Sequence, residues 1–212
     1  KKFWEYMINF ELKKRIFTSI ILISLLILMY FYTYIMFVIL IIFPLIAWIE
    51  LYGLISKIYK KKNLRNRVSL FFFKAISLIF LSIFSFFIFV FKSKNIESEM
   101  FIIFPLLVCI STDIGGLIFG KIFKGKKLSK ISPNKTLSGS LGSFVFSILL
   151  IPIFYSHFDN LKLSVLLVIT LLISLVSQLG DLFISYLKRK AKVKDTGDLL
   201  PGHGGLLDRI DG

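Results

Sequence analysis

Three acidic residues interrupt stretches of the chain that are otherwise strongly apolar, and they are the first candidates for chemistry. These residues are Glu50, Asp113 and Asp181. If the apolar stretches cross a bilayer, each charge costs about 2.5 to 3.5 kcal/mol to insert, so each needs a compensating role. For Asp113 and Asp181, which neighbour glycines, we favour a functional site. For Glu50 we favour a carboxylate near a helix end that pairs with a neighbouring Lys.

A polar face is predicted around Asp181. Asp181, Ser185 and Lys188 are spaced at i, i+4 and i+7, which on a helix places a carboxylate, a hydroxyl and an ammonium on one side. This face of an otherwise apolar segment must therefore point toward a polar partner.

The segment that follows, residues 194–212, is unusually rich in carboxylates for so basic a chain. Asp208 and Asp211 are three residues apart and would share a face of a helix. Carboxylates without thiolates or clustered imidazoles are hard oxygen ligands, which suit Mg²⁺ better than zinc. The single cysteine, Cys109, cannot form a disulfide or a cysteine-zinc site alone. The composition therefore predicts a magnesium and phosphate site.

A second polar segment, residues 113–142, combines glycines, hydroxyls and lysines. Glycines allow a polyphosphate to approach the backbone, and Thr136 or Ser138 could cap a helix whose positive end faces the phosphates. Gly116 and Gly120 also form a Gly-x-x-x-Gly match, for which close helix packing is an equally good explanation. The segment is not a nucleoside-triphosphatase loop, because no Gly-Lys-Ser or Gly-Lys-Thr follows a strand.

The elements that must position these residues are membrane-spanning helices. The chain is 56% hydrophobic with a mean hydropathy of +0.82, and a bilayer core of roughly 30 Å needs about 20 apolar residues per helix. Two spans fit within residues 16–55, separated by a turn at Tyr30, Tyr32 and Tyr34. Further spans are predicted at residues 68–91, 101–119, 137–155 and 163–186. The predicted fold class is all-α, a polytopic helical membrane bundle.

The distribution of Lys and Arg among the loops supports six spans and predicts their orientation in the membrane. With a cytoplasmic N-terminus, 23 of the 27 Lys and Arg residues fall in the inside segments, which are residues 1–15, 56–67, 120–136 and 187–212. These loops account for most of the net charge of +15, which argues against nucleic acid and favours anionic lipid as a partner. We divide the chain into an N-terminal region of three spans, residues 1–100, and a catalytic region, residues 101–212, with cytoplasmic loops at 120–136 and 187–212.

From Ser185 to Asp211 the chain resembles the phosphatidate cytidylyltransferase family over 27 consecutive residues. The run reads Ser-Tyr-Leu-Lys-Arg, four residues, Lys-Asp-Thr-Gly, two residues, then Leu-Pro-Gly-His-Gly-Gly-Leu-Leu-Asp-Arg-Ile-Asp. Upstream, Ser-Pro-Asn-Lys-Thr at 132–136, Asp113 with its glycines, and Glu50 after Trp48 also resemble that family in order and spacing. The similarity covers nearly the whole chain.

The resemblance implies transfer of the cytidylyl group of CTP to phosphatidic acid, by metal-assisted in-line attack of the lipid phosphate, to give CDP-diacylglycerol and diphosphate. It implies Mg²⁺, alone or in a two-metal centre with a second cation, held by Asp181 and Asp208. Implied substrate contacts are Asp113, Ser132, Lys135, Thr136, Ser185, Lys194 and Arg209. Implied catalytic contacts are Lys188, Arg189, Asp195, His203 and Asp211.

Further properties follow from the same resemblance. His203 would contact a substrate phosphate and is not assigned as a base, because phosphatidate needs little deprotonation near neutral pH. The resemblance also implies a homodimer, integral to the cytoplasmic membrane or an equivalent organelle membrane, with its active site on the cytoplasmic side.

The chain departs from the family pattern in two places. Lys135 and Thr136 are followed by Leu137 and Ser138, where the family usually has Trp and Glu, so a carboxylate is missing. The sequence stops at Gly212, where the family continues with a serine and another apolar helix, and we therefore expect the chain to be truncated at its C-terminus.

Two other functions compete with this interpretation. A CDP-alcohol phosphotransferase would also use carboxylates and metal on liponucleotides, but its Asp-Gly-x-x-Ala-Arg run is absent from the sequence. An ion-coupled transporter could use Asp113 and Asp181 as an ion path, although the two halves of the sequence show no repeat.

Overall fold

The fold is described by a computed structural model that covers residues 2–59, 63–94, 96–129, 132–133, 135–158, 161–201 and 204–210. Seven α-helices lie in these ranges: α1 (Lys2–Phe31), α2 (Thr33–Ile58), α3 (Leu64–Lys94), α4 (Ile96–Phe123), α5 (Leu137–Ile148), α6 (Ile151–Phe154) and α7 (Leu163–Lys190). Two short 3₁₀ turns cover Tyr155–His157 and Leu207–Arg209. Within the described ranges the only β pairing is in isolated bridges, so the all-α prediction is confirmed.

Six segments are long and apolar enough to cross a membrane, as predicted. They are Leu12–Phe31, Thr33–Ile58, Leu64–Val90, Met100–Phe123, Leu137–His157 and Leu163–Lys190. Large apolar side chains remain exposed along them, among them Phe80 at 66% and Val176 at 65%. This exposure suits helices whose outer faces contact lipid.

The first two spans are separated at Tyr32, within the predicted tyrosine turn. Tyr32 has an extended backbone, with φ −119° and ψ 104°, between the end of α1 and the start of α2. Its carbonyl accepts from the backbone N–H of Met36 at 3.0 Å, and its own N–H donates to the Leu28 carbonyl at 2.9 Å. The backbone hydrogen bonds of Tyr32 are therefore kept at the break. The prediction of two spans between residues 16 and 55 is confirmed.

The fifth span differs from its predicted form. One continuous helix was expected over residues 137–155, whereas α5 ends at Ile148 and α6 begins at Ile151. Pro152 lies at the start of α6. Proline has no N–H to donate to the carbonyl four residues earlier, and its ring collides with that carbonyl, so it kinks or breaks a helix. The helix breaks just before Pro152, whereas α2 and α4 continue through Pro44 and Pro105.

The chain forms two compact units. The first contains residues 1–89 and 190–210, and the second contains residues 90–189 and 211–212. The division into residues 1–100 and 101–212 concerns function and stays a prediction.

In the first unit, α2 and α3 meet through an aromatic and cationic contact. The Trp48 indole N–H donates to the backbone carbonyl of Lys74 at 3.0 Å. The Lys74 ammonium lies 5.1 Å from the ring centroids of both Trp48 and Tyr52. A cation over aromatic rings is stabilised by their negative faces, which explains how a lysine is accommodated within this span.

The second unit is held by an apolar cluster and by hydrogen bonds between its helices. Phe104, Val108, Ile151, Phe158 and Leu166 form the buried cluster. Polar groups are also buried: the Thr112 hydroxyl donates to Ser174 Oγ at 2.9 Å, and Ser143 Oγ donates to the Thr112 carbonyl at 2.7 Å. Such bonds between small side chains are typical of helices that pack closely in membranes.

Candidate functional site

The predicted polar face lies on α7. Because this helix extends from Leu163 to Lys190, Asp181, Ser185 and Lys188 occupy one side of its last turns. All three are partly buried. After the helix ends, Lys192 adopts φ +57°, a left-handed conformation that is common just beyond helix C-termini.

The loop between α4 and α5 is folded back on itself and presents Lys135. Lys127 and Thr136 form an antiparallel bridge, and the Leu128 N–H donates to the Lys135 carbonyl at 2.8 Å. The Lys135 N–H donates to the Ser132 carbonyl at 3.1 Å, which closes the turn between them. These backbone bonds fix the base of the Lys135 side chain.

Thr136 caps α5, as predicted. Its backbone is extended and its Oγ1 accepts from the Gly139 N–H at 3.1 Å. Ser138, where the family usually has a glutamate, has a structural contact: its Oγ accepts from the Gly125 N–H at 3.2 Å. Ser138 therefore ties the loop to the first turn of α5.

Three predicted site residues come together in the second unit. The Lys135 ammonium pairs with the Asp181 carboxylate, and Asp113 lies close enough to interact electrostatically with both. The side chains of Lys135 and Asp181 are 30% and 27% exposed, so the pair remains accessible to a ligand. We call Asp113, Lys135 and Asp181 the Asp181 cluster.

Gly116 and Gly120, for which packing and phosphate binding were equally good explanations, lie against α5. A Cβ at Gly116 would be 2.8 Å from Ser143 Oγ, and one at Gly120 would be 3.1 Å from Thr136 Oγ1. Both distances are shorter than ordinary van der Waals contact. Close helix packing therefore accounts for these two glycines.

Asp208 forms a second cluster, in the first unit. Its Oδ2 accepts from the Thr196 N–H at 2.8 Å and the Gly205 N–H at 3.0 Å, and it lies 2.9 Å from the Thr196 hydroxyl oxygen, whose one proton is shared between this carboxylate and Glu50. Gly204 has φ +82°, and a Cβ there would be 2.9 Å from Asp208 Oδ2 and 3.1 Å from Asp195 Cβ. The turn therefore requires glycine, and it places Asp195 beside Asp208.

Glu50 joins this second cluster, and its partners are not the expected ones. Instead of a neighbouring Lys, the structure gives it three donors from the C-terminal segment. Oε1 accepts from the Leu206 N–H at 2.9 Å, while Oε2 accepts from the Leu207 N–H at 2.8 Å and the Thr196 hydroxyl at 2.9 Å. The interpretation of Glu50 as a Lys-paired helix-end carboxylate is corrected accordingly. We call Glu50, Asp195, Thr196 and Asp208 the Asp208 cluster.

The remaining predicted residues have the following positions. Lys188 and Arg189 lie in the last turn of α7, partly buried and exposed respectively, and Ser132 is partly buried in the loop before α5. Lys194 and Arg209 are exposed in the C-terminal segment. His203 and Asp211 lie outside the described residues, so their predicted roles and the helical face shared by Asp208 and Asp211 stay predictions.

The sequence did not reveal the structural roles of Thr196 and Glu50. Thr196 lies inside the recognised run but was not selected, because a threonine in a loop offers no distinctive spacing. Glu50 did carry a signal, namely a carboxylate within an apolar span. Its partners could not be inferred, since they lie 146 to 157 positions away along the chain.

The donor types of the two clusters suit magnesium. Among the described residues, no group of three or more His, Cys, Asp or Glu is arranged to hold a metal ion. Mg²⁺, however, commonly keeps several waters and binds through one or two carboxylates together with substrate phosphates. Asp181 and Asp208 offer carboxylate oxygens of that kind, so the residues fit the predicted ion, and its binding stays a prediction.

Several proteins named phosphatidate cytidylyltransferase are similar to this chain. One from Staphylococcus saprophyticus is 42% identical over 127 residues, which are 59% of this chain and 48% of that protein. One from Staphylococcus epidermidis is 43% identical over 124 residues, 57% of this chain and 47% of that protein. One from Staphylococcus aureus is 42% identical over 128 residues, 59% of this chain and 48% of that protein. The chain thus spans about half the length of the curated relatives it matches.

The match to a protein family is broader than these pairwise similarities. Residues 2–212 match the cytidylyltransferase family, and this range includes both clusters and the segments that hold them. The chain belongs to the cytidylyltransferase family.

Proposed function

We propose that this protein is a phosphatidate cytidylyltransferase, which transfers the cytidylyl group of CTP to phosphatidic acid and releases diphosphate. The family match over residues 2–212 carries the proposal. The relatives that carry this name are about 42% identical to the chain, and their name identifies phosphatidate as the acceptor lipid. Six apolar segments able to cross a membrane suit an enzyme whose acceptor is a lipid.

The chemistry proposed for the Asp181 cluster is charge neutralisation. A lipid phosphate that attacks the α-phosphorus of CTP brings two anions together, and the main task of the protein is to align them and reduce their repulsion. Lys135 and Lys188 provide ammonium groups in the second unit, and Ser185 provides a hydroxyl on the same face of α7 as Lys188. In this proposal these groups contact the phosphates, and Arg189 adds a guanidinium.

The start of α5 supports nucleotide binding in the same unit. Three of the first four backbone N–H groups of the helix already have acceptors: Leu137 donates to the Lys126 carbonyl, Gly139 to Thr136 Oγ1 and Ser140 to the Thr136 carbonyl. The helix start would therefore favour negative charge chiefly through its dipole. Ser132, Lys135 and Thr136 precede this helix start directly. We assign these three residues and Asp113 to CTP.

The remaining roles are assigned to Asp181 and to residues of the C-terminal segment. Asp181 and Asp208 would hold Mg²⁺, alone or with a second cation, and the ion would offset the negative charge that develops on the phosphates. Asp195 and Asp211 would support this role, while Lys194, His203 and Arg209 would contact phosphates. We further propose a homodimer with the N-terminus and active site at the cytoplasmic face, as the distribution of Lys and Arg suggests.

The proposal is tested by measuring CDP-diacylglycerol formation from labelled CTP and phosphatidic acid in liposomes that contain the full-length protein. We expect Mg²⁺-dependent lipid labelling that falls by about a hundredfold or more in Asp181→Asn and Asp208→Asn, because each change removes a charge that holds the cation. Asp198→Asn removes an exposed carboxylate of the same segment and should retain activity. A protein that consumes no CTP, as expected of a transporter, would contradict the proposal.

A further inference from the structure

The turn before Asp208 directs consecutive backbone donors at two carboxylates. The Gly205 N–H donates to Asp208 Oδ2 at 3.0 Å, the Leu206 N–H to Glu50 Oε1 at 2.9 Å and the Leu207 N–H to Glu50 Oε2 at 2.8 Å. Successive N–H groups of this kind form an anion-binding concavity. Two of the three donors are occupied by a carboxylate that α2 supplies.

The surroundings of the Glu50 carboxylate are shaped to receive it. A Cβ at Gly205 would be 2.4 Å from Glu50 Oε2 and 2.1 Å from Thr196 Oγ1, and one at Gly197 would be 3.0 Å from Glu50 Oε1. A side chain at Gly205 would therefore displace Glu50 and Thr196, and one at Gly197 would be in tight contact with Glu50. Leu206 and Leu207 are only 2% and 8% exposed, so water competes little for these bonds and they are strengthened.

Thr196 links Glu50 to Asp208. Its hydroxyl oxygen is 2.9 Å from Glu50 Oε2 and 2.9 Å from Asp208 Oδ2. A hydroxyl has one proton to donate, so it serves one carboxylate at a time. The Thr196 N–H donates to Asp208 at 2.8 Å as well, so the position of one carboxylate depends on that of the other.

We infer that Glu50 is a positioning residue: from α2 it holds the turn at residues 205–207 and, through Thr196, fixes the orientation of the Asp208 carboxylate. Glu50 itself touches neither substrate nor metal in this inference. The consequence for catalysis rests on the proposed function of Asp208, whereas the hydrogen-bonded contact can be tested without catalysis.

Two variants of Glu50 test the inference in the full-length protein in liposomes. Glu50→Gln keeps the shape but places an NH₂ group against a backbone N–H in either orientation, and Glu50→Asp keeps the charge but is shorter by one methylene. Hydrogen exchange, measured by mass spectrometry, should become about tenfold faster in peptides covering residues 196–210 of Glu50→Gln, with a smaller effect in Glu50→Asp.

In Glu50→Gln, hydrogen exchange in peptides from α4 and α5 should be unchanged, and CDP-diacylglycerol formation should fall about tenfold or more. Ile49→Val, on the exposed neighbouring position of α2, is the control and should match the wild type.

The possible outcomes separate this inference from the proposed function. If Glu50→Gln lowers activity while exchange in residues 196–210 stays at the wild-type rate, the positioning role is wrong. If exchange rises throughout the chain, Glu50 stabilises the whole fold and the inference is likewise overturned. If the wild type makes no CDP-diacylglycerol, the proposed function fails, and the exchange data still decide whether Glu50 holds the turn. Should Glu50→Gln not fold, Thr196→Val, which removes only the shared hydroxyl, should give the same local increase in exchange.

Discussion

The ion pair between Lys135 and Asp181 joins two segments with different proposed roles. Lys135 belongs to the loop proposed to bind CTP, and Asp181 belongs to the helix face proposed to bind the cation. Their side chains are 30% and 27% exposed, and pairs with this much solvent access usually contribute no more than about 1 kcal/mol to stability. The pair is therefore better explained by function than by folding.

Replacing Lys135 should separate these two explanations. We expect Lys135→Gln to lower CDP-diacylglycerol formation by about tenfold or more, because an ammonium near the phosphates is lost, while the free energy of unfolding changes by less than about 1 kcal/mol. Lys121→Gln, which removes an exposed lysine from the last turn of α4, is the control for overall charge. Activity in liposomes and thermal unfolding in detergent are the measurements. A large loss of stability with normal activity would contradict the assignment.

At the residue scale, the sequence revealed the acids but not their partners. Asp113, Asp181 and Asp208 could be selected because a charge in an apolar span, or a dense run of carboxylates, stands out by type and spacing. The Thr136 cap could also be predicted, since capping is a local interaction. The contacts of Glu50 with Thr196, Leu206 and Leu207 could not be predicted. Two of them use backbone N–H groups, which every residue type except proline has, and the third uses the hydroxyl of a threonine far away in the sequence.

At the scale of helices, α4 and α5 approach each other through glycines that face one another. A Cβ at Gly115 would be 2.5 Å from the Gly142 carbonyl oxygen, one at Gly139 would be 2.8 Å from the Gly116 carbonyl oxygen, and one at Gly142 would be 2.3 Å from Phe119 Cβ. The backbones are thus too close for any side chain at these positions. This contact sets the position of the Thr136 cap relative to α4, and hence the position of the Lys135 loop within the unit.

Adding a methyl group to this contact should destabilise the protein. We expect Gly142→Ala to lower the free energy of unfolding by about 1 to 3 kcal/mol, because a helix must move to accommodate the new Cβ. Gly53→Ala is the matched control: it lies inside α2 with no atom within 4 Å of the added Cβ, so the better helix propensity of alanine should leave stability equal or slightly higher. Thermal unfolding in detergent compares the two. Equal effects of the two substitutions would contradict close packing at Gly142.

The helices themselves were largely predictable from sequence, and the exceptions have local causes. Apolar length identified all six spans, and the tyrosines marked the turn at Tyr32. The break after Ile148 was missed because the apolar run continues through Pro152, so hydropathy gives no sign of it. The sixth apolar span was predicted to end at residue 186, whereas α7 continues to Lys190. Its charged last turn ends the apolar run but remains helical, in agreement with the predicted helical face of Asp181, Ser185 and Lys188.

For the whole molecule, the number of spans and the distribution of Lys and Arg together predict which loops face the cytoplasm. If all six segments cross the membrane, residues 120–136 would lie on the same side as the N-terminus and residues 156–162 on the other. The first of these segments holds six Lys and Arg residues and the second holds one. The charge asymmetry predicts that the first is cytoplasmic.

This topology is tested by cysteine labelling in membrane vesicles. In a Cys109→Ala background, Lys127→Cys and Ser156→Cys each place a thiol at an exposed position, the first in the loop before α5 and the second beyond α6. A membrane-impermeant maleimide should label Lys127→Cys only in inverted vesicles and Ser156→Cys only in right-side-out vesicles, because a span lies between the two sites. Labelling of both from one side would rule out a crossing between them. The reverse pattern would place the Asp181 cluster on the side of the membrane opposite the cytoplasm. Because CTP is found in the cytoplasm, that result would contradict the proposed function.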